Sequence, residues 1–177
     1  MTRARSATPL RWLRLAALAI GLGGALLSPP AEAAGEVAPA FTLRDIDGKT
    51  VNLADYQGKV VLLQFWATWC GPCQAEMPHL QKMYTELGPK GFVVLSISID
   101  DARASSMVKP IIKKNGYTFP VLLDKDTSVV TKYNPTKSVP YAVVVDKAGK
   151  IASVHLGYNP GDEVALKSEI SALLAAP

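Results

Sequence analysis

The sequence predicts an α/β domain of three layers around a mixed β-sheet, and three observations predict it. Apolar runs of strand length alternate with helical periods through the middle of the chain. Two pairs of short strand-like segments, one early and one late, each flank a turn signal. The chain then closes on a helix with one apolar face.

Taken in order, residues 34–40 read as a short flexible lead. Residues 41–45 and 50–53 alternate about Asp47-Gly48, the pattern of a β-hairpin. Residues 60–66 form an apolar run that reads as a buried strand. From Pro72 a helical period sets in, with Met77, Leu80, Tyr84 and Leu87 three or four residues apart, until Gly88-Pro89 stops it; Pro78 inside this helix should bend it. Residues 92–99 are a second buried strand, ending at Asp100-Asp101. A weaker helix follows over 104–115, with Pro110 as its start or a kink. Residues 117–123 read as a strand and 127–133 as a short helix. Residues 141–145 and 151–156 make an antiparallel hairpin with Gly149 in its turn, and a final helix begins near Asp162 with Leu166, Ile170, Leu173 and Leu174 on one face. The absence of an internal repeat or low-complexity tract after residue 33 makes a single domain the simplest account.

The first fourteen residues hold Arg3, Arg5, Arg11 and Arg14 and no acid, the apolar stretch 15–27 follows, and Ala31-Glu32-Ala33 gives an A-x-A cleavage site. That is the form of an export signal over residues 1–33, with the domain occupying 34–177. Thirteen helical residues span about 20 Å against a hydrocarbon core of about 30 Å, so an uncleaved membrane tether through 15–27 is the weaker reading. No cysteine follows the apolar stretch to carry a lipid. Without residues 1–33, 15 basic residues face 14 acidic ones, so the pI of 9.1 belongs mostly to the signal and gives no argument for nucleic-acid binding.

Cys70 and Cys73 are the only cysteines in the 177 residues, spaced C-x-x-C between a buried strand and a helix. A protein sent to an oxidising compartment with its whole thiol inventory in one such pair reads as a catalyst built on a reversible dithiol, with no cofactor besides. At the helix N-terminus the unpaired N–H groups and the positive end of the dipole favour a thiolate, so Cys70 should ionise below the free value of about 8.5. This makes Cys70 the nucleophile and Cys73, one turn further in, the resolving thiol. A zinc knuckle would need two more ligands, for which only His79 and His155 offer nitrogen. A purely structural bridge gains little, since so short a loop removes little chain entropy.

The stretch Phe65-Trp66-Ala67-Thr68-Trp69-Cys70-Gly71-Pro72-Cys73-Gln74-Ala75-Glu76-Met77-Pro78, with Ala38-Pro39-Ala40-Phe41-Thr42-Leu43 upstream and Val139-Pro140 downstream, resembles the thioredoxin-like proteins. Within them it is most similar to the exported TlpA/ResA type, related to the DsbE/CcmG cytochrome c biogenesis reductases, over residues 36–175. The resemblance implies a thioredoxin-like sandwich with an N-terminal hairpin and an inserted α-β segment before a cis-proline at Val139-Pro140. It implies a thiol:disulfide oxidoreductase acting as a reductase on protein disulfides, such as apocytochrome c or copper-site cysteines, recharged by a membrane thiol transporter. Trp69, Gly71, Pro72, Val139 and Pro140 would then meet the substrate, with Trp66 as a second part of the apolar platform or as core.

Where cytosolic thioredoxins carry a buried Asp six residues before the first cysteine, this chain has Gln64, so proton handling must differ. Glu76 falls where the TlpA/ResA type has its acidic residue; if buried, it can relay a proton to Cys73, and if not, it serves the helix dipole alone. His79 reads as solvated, as do Lys113 and Lys114. Two rivals stand beside this reading. A thiol peroxidase would need Pro at position 63 and Thr or Ser at 67, where Leu63 and Ala67 stand; a Sco-like copper module would need C-x-x-x-C.

Overall fold

The computed structural model describes residues 35–176, so the export signal and any tether through 15–27 lie outside the described residues. Seven strands form one mixed sheet: β1 (Thr42–Asp45), β2 (Thr50–Asn52), β3 (Val60–Trp66), β4 (Phe92–Ser98), β5 (Val121–Leu123), β6 (Tyr141–Val145) and β7 (Ile151–Leu156). Their order is β2-β1-β5-β4-β3-β6-β7, with β3, β4 and β5 parallel and the flanking pairs antiparallel. Four α-helices join them: α1 (Gly71–Leu87), α2 (Val108–Asn115), α3 (Ser128–Tyr133) and α4 (Asp162–Ala175).

The strand period of two divides the core. Val60, Leu62, Trp66, Val94 and Val144 point to one face, where α1, α2 and α4 lay Met77, Leu80, Ile112, Leu166 and Ile170 on them. Val61, Leu63, Phe65, Leu95, Ile97 and Val143 point to the other, met by Val129 and Val130 of α3 and by Phe41 and Val51. β3 and β4 are buried throughout because both faces are covered, which is why they read as unbroken apolar runs.

Several boundaries depart from expectation. The lead at 34–40 is not loose over its described residues. Gly35 N–H donates to the Ile151 carbonyl (2.7 Å), Ala38 N–H to Gly149 (2.9 Å) and Ile151 N–H to Glu36 (2.8 Å), so it is clipped to the β6–β7 turn, and Ala38 is buried there. Gly149 has φ +77° in that turn, and a Cβ on it would come 3.2 Å from Gln57 Oε1. The strand expected over 117–123 shrinks to three residues. Tyr117 and Phe119 stack on each other (5.4 Å between rings), Phe119 packs edge-on to Tyr84 of α1, and Pro120 has no N–H for a ladder. The helix expected over 104–115 divides into a 3₁₀ turn (Ala104–Met107) and α2, with Pro110 in the first turn of α2, where a missing N–H costs nothing. Leu53 leaves its strand for a second 3₁₀ turn, Leu53–Tyr56. As expected, Pro78 lies inside α1, which continues past it to Leu87, and its ring is exposed.

Candidate active site

β3 delivers the chain to Cys70, which caps α1 in an extended conformation; its Sγ accepts from Cys73 N–H at 3.3 Å. Pro72 occupies the first turn, where its lack of a donor is harmless. Cys70 and Cys73 are joined as a disulfide with Cα atoms 5.3 Å apart. Cys70 retains 5% exposure and Cys73 none, so the first sulfur is the outer one. Around it Trp69 (70% exposed), Gly71 and Pro72 are at the surface, whereas Trp66 is entirely core, its Nε1 buried without a partner.

Val139-Pro140 is a cis peptide bond. Tyr141 pairs with Phe65, so the two residues before it run past the end of β3 toward the active-site turn. The Pro140 carbonyl is taken by Gly157 N–H (2.8 Å), while the N–H and carbonyl of Val139 have no backbone partner among the described residues.

The turn itself hangs on Asp100, which sequence reasoning treated only as the end of a strand. Asp100 is 2% exposed; it accepts Thr68 N–H (2.9 Å), Thr68 Oγ1 (2.7 Å) and Ser98 Oγ (2.8 Å). Gln74 of α1 closes the loop from the other side, donating to the Thr68 carbonyl at 2.7 Å. The available signal was the Ser98-x-Asp100 polar pair on the end of an apolar strand that runs beside β3.

Glu76 lies one turn below Cys73 and is 6% exposed. Gln64 Nε2 donates to its Oε2 at 3.0 Å, and Ser96 Oγ donates to Gln64 Oε1 at 2.9 Å. The strand position that carries Asp in cytosolic thioredoxins thus supplies an amide here, and the acid reaches the same spot from the helix. Burial pushes Glu76 up to about 7, against the lowering effect of the Gln64 bond and of His155. Of the two histidines that a zinc reading would recruit, His79 Nδ1 lies 3.5 Å from Glu163 and His155 Nε2 lies 3.0 Å from Glu169, both acids on α4. Leu63 and Ala67, where a peroxidase would need Pro and Thr or Ser, are buried in the core.

The pair at the start of α1 thus sets one slightly exposed cysteine against one fully buried one, with a buried carboxyl a turn further on. The AhpC/TSA family matches residues 34–154. The chain is 32% identical over 154 residues to a thiol-disulfide oxidoreductase ResA of Halalkalibacterium halodurans, covering 82% of this chain and 86% of that one. Its fold superposes with TM-score 0.73 and 32% identity on a Chlorobium tepidum protein described as a candidate thiol:disulfide interchange protein DsbE, covering 80% of this chain and 98% of that one. The thioredoxin domain of a thiol-disulfide oxidoreductase from Bacteroides vulgatus gives TM-score 0.68 at 33% identity, with 80% and 98% covered. The chain belongs to the AhpC/TSA family, has its thioredoxin-like fold, and is a thiol:disulfide oxidoreductase.

Proposed function

We propose that the protein is exported through residues 1–33 and works outside the cytoplasm as a reductase of protein disulfides, with Cys70 as nucleophile, Cys73 as resolving thiol and Glu76 as proton carrier. The observation that carries this reading is the unequal pair: Cys70 caps the helix and keeps a small exposure among the surface residues Trp69, Gly71 and Pro72, while Cys73 is fully buried above a buried carboxyl. The Cys70 thiolate attacks a substrate disulfide, a Cys70–substrate S–S bond replaces the substrate's own, and one substrate sulfur leaves to be protonated. Cys73 then gives its proton to Glu76 and attacks Cys70 Sγ, releasing the second substrate sulfur. Two electrons have passed to the substrate and the Cys70–Cys73 disulfide remains, to be reduced again by a thiol donor such as a membrane thiol transporter. A carboxyl near 7 is divided between its two forms at neutral pH, which suits a group that must both take and return a proton.

Exposed Trp69 and the unpaired backbone of Val139 beside Gly71, Pro72 and Pro140 offer an apolar stop and a hydrogen-bonding edge for an extended substrate segment. Apocytochrome c and copper-site cysteines of exported proteins fit that description. Direction is tested by equilibrating the pair with thiol buffers. A potential nearer the thioredoxin value of about −270 mV than the DsbA value of about −120 mV is expected, and a reduced form that resists oxidised glutathione would make the protein an oxidase instead. In the same protein Cys73→Ser should trap substrate on Cys70; preferential alkylation of Cys73 over Cys70 would reverse the assignment.

A further inference from the structure

One row of residues crosses four adjacent strands on the face covered by α1 and α4. The pairing sets Ser96 beside Gln64, Gln64 beside Ala142, and Ala142 beside His155. Residues paired this way share a face, and three of these four are polar in the middle of a mainly apolar sheet. From the β4 side the row runs through Ser96 and Gln64 directly onto Glu76. On the β7 side a cavity of about 370 Å³ opens with both Glu76 and His155 in its wall.

His155 is held at the far side of this cavity. Its Nε2 lies 3.0 Å from Glu169 Oε2 and 3.1 Å from Ser153 Oγ, and Ser153 Oγ also donates to Glu169 Oε1. Ser153 and Glu169 meet the same ring nitrogen, so this is not the arrangement that activates a serine, where base and orienting acid use opposite nitrogens. The Glu169 carboxylate instead favours the charged ring and holds His155 above its ordinary 6.5, opposed by burial. The other ionisable groups around it are Asp162 and Glu163 of α4, Tyr158, whose hydroxyl donates to Glu163, and Glu76 and His79 of α1, the latter already paired with Glu163. β6 contributes no ionisable group to the cavity wall.

We propose that His155, locked by Glu169 and Ser153, is a positioning residue for thiol–disulfide exchange: its imidazolium faces Glu76 across the cavity they share and sets how readily Glu76 takes the exchange proton. The proposal rests on the reading of Glu76 as proton carrier. A cation there stabilises the carboxylate and offsets part of the burial that keeps Glu76 protonated, so removing it must move Glu76 in one direction only, upward.

The test follows the Glu76 carboxyl by carbon NMR through a pH titration of the oxidised full-length protein, alongside the pH profile of its disulfide exchange. Glu76→Gln identifies the signal. In His155→Gln the Glu76 midpoint should rise by about half a pH unit, and the exchange profile should move the same way. His155→Lys should return the midpoint toward wild type. An unmoved Glu76 midpoint in His155→Gln overturns the proposal; if that variant does not fold, an unmoved midpoint in His155→Asn does so. A midpoint that moves while the exchange profile stays fixed leaves the His155–Glu76 coupling standing and removes the reading of Glu76 as proton carrier.

Discussion

Two buried carboxyl groups support the active-site turn, and they are held in opposite ways. Asp100, just past β4, accepts a backbone N–H and two hydroxyls from Thr68 and Ser98. Glu76, on α1, accepts one amide N–H from Gln64 and otherwise borders a cavity. Burial is nearly equal, at 2% and 6% exposed, so burial alone does not decide what an acid does. The donor set decides. Three donors tie Asp100 to the turn, whereas Glu76 has a single neutral donor and faces open space on its other side.

Asp100→Ala should break this contrast most severely. It strands a backbone N–H and two hydroxyls, and at about 1–3 kcal/mol for each buried unmet group the loss should reach about 3–5 kcal/mol in urea unfolding, with exchange activity falling as the turn loosens. A loss within 1 kcal/mol would mean the turn is held by other contacts.

Glu76→Gln should do the reverse. The folded protein binds the Glu76 proton more tightly than the unfolded chain, so wild type loses stability as pH climbs from 4.5 through about 7. The variant escapes that loss. The two should match near pH 4 and diverge to about 3 kcal/mol in favour of the variant by pH 8, while the variant's exchange rate loses its pH dependence near neutrality. Parallel stability curves across that range would show that Glu76 does not titrate there.

The smallest effect belongs to Thr68→Val. It keeps the N–H bond to Asp100 and removes only the hydroxyl donor, so a cost of about 1 kcal/mol and a nearly unchanged exchange rate are expected from chemical denaturation and an insulin-reduction assay.

The sheet and α1 were legible in the sequence because period and turn chemistry are local: β3, β4, the two hairpins and the start of α1 all fall within a residue of where the sequence puts them. The Asp100 anchor was not, because its meaning lies in Thr68, 32 positions away, and an acid at the end of a strand looks the same whether it faces solvent or a buried N–H. Glu76 was legible as a candidate but not as a buried one, since an acid in the first turns of a helix satisfies the dipole either way. Its bond to Gln64 and its cavity shared with His155 arise only when β3, β6 and β7 come into register. The short β5 failed for a different reason: its preceding aromatics have high strand propensity but find better company on α1.

The clip that fastens residues 35–38 to the β6–β7 turn fixes the orientation of the reactive end. Val145 at that turn pairs with Val61 at the start of β3, and Cys70 follows the finish of β3, so the two lie at opposite poles of a strand about 20 Å long. Gly35 thus enters the domain at the pole opposite the disulfide, and the sheet is the spacer that keeps the reactive turn a strand's length from that entry.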